Sequence, residues 1–137
     1  MNARRLSFTL FAALSVFASG SVLAAPPVVE IVAMPHPPVK MALQPLRDWL
    51  AQQGTKLKVV ETDVESPAGE KKLAGVGLSG HIPVVILIDG QYRVKRPDGA
   101  TVDLVSFPNQ PNTPPGARGQ WVIPDVQAVL TERMKKP

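Results

Sequence analysis

Cysteine is absent from all 137 residues. Its absence excludes a thiolate nucleophile, disulfide exchange, thiolate metal centres and lipid attachment through sulfur. Without cross-links, the fold must be held by packing and by its 15 prolines. An excess of one charge is also lacking, with 15 Lys and Arg against 11 Asp and Glu. No basic run is interleaved with aromatics, so the electrostatic footprint of a nucleic-acid binder is missing. Nor is there an apolar run of the roughly 20 residues needed to span a bilayer as a helix.

The longest mostly apolar stretch, Leu6 to about Phe17, instead reads as the centre of an export signal. Arg4 and Arg5 give it a positive start, and the small-residue run Ala18 to Ala25 follows. Val22 and Ala24 occupy the −3 and −1 positions of a cleavage site, while Pro26 disfavours cleavage one residue later. Residues 1–24 are therefore expected to be removed, leaving residues 25–137 as one exported domain, periplasmic or secreted. The leader carries two Arg and no acid, so the remaining domain is nearly neutral. No stable membrane insertion is expected after cleavage.

Beyond the leader, Val28 to Met34 is a β-rich apolar run ended by Pro35-His36-Pro37-Pro38. From Val39 to Gln53 the period becomes helical, with Val39, Leu43, Leu46 and Leu50 on one stripe and Gly54 at the C-terminal end. Pro45 inside this helix predicts a kink. Lys56 to Asp63 reads as a second strand. Ser66-Pro67 reads as an N-cap with proline at the first helical position, opening a short helix to about Val76. Val84 to Ile88 is the strongest strand signal, and Asp89-Gly90 predicts a hairpin into Gln91 to Lys95. A second turn, Pro97-Asp98-Gly99, leads to Thr101 to Phe107. Residues 108–120 form a Pro-rich surface loop, and a last helix starts near Pro124 and buries Val126, Val129 and Leu130. The fold class is α/β, in β-α-β-α-β-β-α order, with a mixed sheet and helices on both faces.

This order, with His81-Ile82-Pro83-Val84-Val85-Ile86-Leu87-Ile88-Asp89-Gly90, resembles the thioredoxin-like superfamily over roughly Val28 to Met134. The segment looks like that family's Ile-Pro-Thr loop, which implies a cis peptide before Pro83. Lys40-Met41 matches the Lys-Met that follows the family's Cys-Gly-Pro-Cys motif. Aligned so, His36-Pro37-Pro38-Val39 stands where the two cysteines would be, and Glu30 matches a buried carboxylate six residues earlier. The resemblance therefore implies a redox-inactive member: no enzyme activity is expected, because disulfide exchange needs both thiols.

Two kinds of site remain. The first is recognition of another exported protein or peptide, by strand-like pairing at the loop before Pro83, on an apolar rim of Met34, Pro35, Pro37, Pro38, Ile82 and Pro83 around His36. The second is copper, held by the only two histidines, His36 and His81, with Met34 or Met41 as thioether donor. The partner-binding reading expects no cofactor. Glu30, in an interior strand, either orients His36 or pairs with a cation such as Lys58. Glu61, Asp63 and Glu65, alternating at a strand end, have the pattern of a solvated face.

Overall fold

The computed structural model describes residues 24–136. The expected export leader, residues 1–24, lies outside the described residues apart from Ala24. The chain is α/β, with a three-stranded mixed sheet, a two-stranded sheet and three α-helices. Strand β1 (Val28–Ala33) runs parallel to β2 (Lys58–Asp63) and antiparallel to β3 (Val84–Ile88), giving the order β2-β1-β3. Between β1 and β2 runs α1 (Pro37–Gln52), and α2 (Pro67–Gly75) links β2 towards β3. Two short strands, β4 (Arg93–Lys95) and β5 (Thr101–Asp103), pair with each other, and α3 (Ile123–Lys135) closes the chain.

Successive side chains of a strand point to opposite faces. Every residue of β3 is buried, so both faces of the sheet are covered. The covering side chains are Val39, Leu43, Leu46 and Leu50 of α1 and Ile123, Val126, Val129 and Leu130 of α3, joined in one core with Trp121. The predicted apolar stripe of α1 is the stripe that is buried. The helix continues through Pro45, which cannot donate to the carbonyl four residues back. Side-chain donors reach the neighbouring carbonyls: Arg47 Nη1 donates to Lys40 O at 3.3 Å, and Gln110 Nε2 to Ala42 O at 3.2 Å. At α2 the predicted cap is present, with Ser66 Oγ accepting from Gly69 N–H at 3.1 Å.

The hairpin after β3 departs from the sequence expectation. Asp89 and Gly90 do turn the chain, both with positive φ, and Ile88 bridges Gln91. Pairing then stops. From Arg93 the chain pairs with β5, and the free edge of β3 is taken by the stretch after β5. Leu104 O accepts from Ile86 N–H at 3.0 Å, and Ser106 N–H donates to Val84 O at 2.8 Å. The reason is burial. A neighbour of a strand covered on both faces is itself largely covered and favours apolar side chains. Gln91 to Lys95 supplies polar side chains at Gln91, Arg93 and Lys95, whereas Leu104 is fully buried and Val105 half-buried beside it.

Candidate partner-binding face

The C-terminal end of β1 and the loop before β3 are brought together by the sheet register. Ala33 pairs with Val84, and the next backbone bond runs from Met34 N–H to Pro83 O at 2.9 Å. Residues 34–38 and 81–83 therefore share one end of the sheet, as the sequence reading required. Pro35, His36, Pro37, Pro38 and His81 are exposed, and Ile82 and Pro83 are half-buried. Met34 is not part of the surface: it is 7% exposed and packs into the core, so its thioether is withdrawn from the expected copper donors.

Two further expectations change here. No peptide bond among the described residues is cis, so the Ile82–Pro83 bond is trans, the isomer that X-Pro bonds favour by default. The Ile82 N–H donates to Gly80 O at 3.1 Å, turned back into its own loop. That donor is already engaged, so strand-like pairing with a partner through it is not what this loop offers. Ile82 contributes its side chain, part of which packs against the core.

His36 occupies the N-cap position of α1, with extended backbone and no side-chain cap bond; Pro37 and Pro38 follow as the first helical residues. That is where proline costs a helix least, because the first N–H groups have no intrahelical acceptor. The imidazole Nε2 lies 3.0 Å from Glu65 Oε2, tying the start of α1 to the turn between β2 and α2. Glu30 does not orient His36. It forms an ion pair with Lys72 of α2 rather than with Lys58, and its side chain is only 17% exposed. Of the alternating acids, Glu61 takes a two-pronged bond from Arg47 at 2.8 and 3.2 Å. The Asp63 carboxylate accepts from Glu65 N–H at 2.9 Å. Among the described residues no three His, Cys, Asp or Glu side chains gather as metal ligands.

The feature that sequence reasoning missed begins at Pro38 and runs along the outer face of α1. Pro38, Met41, Ala42 and Pro45 form one wall of a groove of about 590 Å³, and Phe107, Gln110, Pro111, Asn112, Thr113 and Pro114 form the other. Met41 is 75% exposed at its rim. The signal was present as spacing: residues 38, 41 and 45 stand three and seven apart, a second apolar stripe that borders the buried one at Ala42.

The far wall is built rather than loose. Thr113 is buried and donates through Oγ1 to Pro108 O at 3.1 Å. Arg118 clamps the loop from behind, donating to Thr113 O at 2.7 Å and Pro111 O at 3.2 Å. Asn109 N–H reaches Trp121 O at 2.7 Å, and Gly119 N–H reaches Phe107 O at 2.7 Å. Gln110 bridges the groove floor to α1 through Ala42 O. The proline-rich segment is thus a fixed wall.

A hollow of about 740 Å³ lies at the opposite end of β1, beside Ala25, Pro27, Val28 and Val129. Two of its cations are already matched, Arg133 by Asp89 and Arg96 by Asp98 and Asp125. No family model, curated protein or solved structure matches the chain.

Proposed function

We propose that this chain is an exported, non-catalytic binding module of thioredoxin-like build. It holds an extended apolar segment of another exported protein against the outer face of α1. The observation that carries the reading is the groove between Pro38, Met41 and Pro45 and the clamped wall of Phe107, Pro111 and Pro114. Its walls are set before a ligand arrives, so little ordering entropy opposes binding. Burying an exposed Met side chain contributes on the order of 1.5–3 kcal/mol. Pro38 joins the groove to the exposed rim of Pro35, His36 and Pro37, so one extended segment can follow both. The thioredoxin-like reading draws support from the parallel β1–β2 pair, the antiparallel β3 and the helix that begins with Pro37-Pro38 after β1. The lack of cysteine supports a binding role over thiol exchange. No specific observation favours the copper reading, since Met34 is buried and His36 is held by Glu65.

The test is selection of displayed random 12-residue peptides on the purified protein, followed by titration of the winners against Met41→Glu and Pro111→Asp. Both side chains are exposed, so both variants should keep the wild-type melting temperature. Winners rich in apolar residues, weakened about tenfold or more by either variant, are expected. Peptides that bind both variants as well as wild type would sink the proposal.

A further inference from the structure

All the sulfur in this chain is thioether, because it has four Met and no Cys. The described methionines sit in three different environments. Met34 is 7% exposed in the core, Met134 is half-buried near the end of α3, and Met41 is 75% exposed at the rim of the groove. Access to the sulfur governs how fast a methionine is oxidised. Met41 is also the side chain whose polarity matters most to the groove, standing between Pro38 and Pro45 on one wall and facing the prolines of the other.

We infer that Met41 is a selective, reversible oxidation site whose sulfoxide closes the groove to apolar ligands. The inference rests on the binding role proposed for that groove. The oxidant is hydrogen peroxide. A lone pair of the Met41 sulfur attacks one peroxide oxygen, an S–O bond forms, and the O–O bond breaks. The departing oxygen leaves as water after proton transfer. Sulfur loses two electrons and the peroxide gains them. The product carries a strongly polar S–O group where the thioether had none. Burying that group under an apolar ligand strips its hydration without providing a donor, so the ligand is rejected. Met34 stays reduced behind the core, and the fold is kept. Two thiol-driven methionine sulfoxide reductases, one for each sulfoxide epimer, reverse the change: the oxygen leaves as water while two reductant thiols become a disulfide.

The experiment treats the purified protein with hydrogen peroxide and follows each methionine by peptide mass. Binding of the uncharged apolar dye Nile red is measured alongside, and the share that Met41→Glu abolishes is counted as groove-bound. Met41 should gain one oxygen at least about tenfold faster than Met34, and faster than Met134. Groove-bound dye affinity should fall about tenfold or more and return after reductase treatment. Whatever dye Met41→Leu holds should be indifferent to peroxide, and Met41→Gln should bind poorly without it. Oxidation of Met41 no faster than that of Met34 and Met134 would overturn the site. Selective oxidation with dye binding unchanged would overturn the closure while leaving the groove as a binding surface. If neither the untreated protein nor Met41→Leu held any groove-bound dye, the binding role itself would fail, and the closure with it.

Discussion

Asp125 serves two elements with its two carboxylate oxygens. Oδ1 accepts from Arg96 Nη1 at 3.0 Å, at the end of the β4–β5 hairpin, while Oδ2 accepts from Val122 N–H at 2.8 Å at the start of α3. The residue is 7% exposed. One side chain therefore caps the last helix and holds the hairpin to it. Asp125→Ala is expected to lower stability by about 2.5–4 kcal/mol, the sum of a lost cap and a lost charged hydrogen bond. Urea unfolding of the variant checks this. A midpoint equal to wild type would show that the carboxylate holds neither element.

The ion pair between Glu30 and Lys72 predicts an asymmetry. Glu30 is on an interior strand with 17% of its side chain exposed, whereas Lys72 on α2 keeps 33%. Removing Lys72 strands the more buried charge, so Lys72→Met should cost about 1–2 kcal/mol. Glu30→Gln leaves a lysine that can reach water and should cost less. The double variant should recover most of the loss. Chemical denaturation of all three distinguishes this from simple additivity.

Gly69 is the contact point of α2 with the end of β2. A Cβ there would stand 2.2 Å from the Asp63 carbonyl and 2.6 Å from the Val64 Cα, both backbone atoms that cannot swing away. Gly69→Ala is therefore expected to cost about 2 kcal/mol, even though alanine is the better helix former. Gly75→Ala, with open space around it, should be neutral or stabilising. Thermal melts should show a lowered midpoint for Gly69→Ala and no lowering for Gly75→Ala.

Acid should loosen the β4–β5 hairpin first. The hydrogen bond from Arg93 holds the Asp103 carboxyl below its ordinary value of 3.8. The Asp98 carboxyl is held low chiefly by the N–H of Ala100, with Arg96 adding to it. A carboxyl whose folded pKa lies below its unfolded one adds stability that is complete above the unfolded value and lost as pH falls through the folded one. Stability should thus be flat through neutral pH and decline below about pH 4. Asp103→Asn should shallow that decline, which urea titrations between pH 7 and 2 will read. Because both side chains are exposed, water and salt screen the Arg93–Asp103 pair and the decline should be shallow.

The elements with long, clean periodicity were legible in the sequence to within a residue or two: β1, α1, α2, β3 and α3. What escaped was set by distance along the chain. Lys72 finds Glu30 across 42 residues, and His36 finds Glu65 across 29. Nothing local in either segment names the partner. The strands after β3 misled because Asp89-Gly90 is a sound hairpin turn, yet a turn fixes direction, not how far pairing continues. That was decided by the demand of a doubly covered strand for Leu104. The juxtaposition of 35–38 with 82–83 was legible through the resemblance, which sets the loop before Pro83 beside the start of α1. Met34, counted with that rim, is buried because its side chain turns into the core. The groove was missed because Pro38, Met41 and Pro45 gain meaning only once the opposite wall is in place, and Arg118 rather than proline content fixes that wall.

The way β3 acquires its outer neighbour has a consequence for how the chain folds. The strand Val84–Ile88 must wait until Val105 has returned to it, past the whole β4–β5 excursion. That excursion is local and should close by itself within about 1–10 μs, so it acts as a clip that carries Leu104 into place. Until it does, an entirely apolar strand shows a bare edge to other chains, the condition under which nascent sheets aggregate. A chain shortened to end at Ala100 should therefore lose solubility far more than one ending at Gln120, which retains the clip and lacks only Trp121 and the last helix.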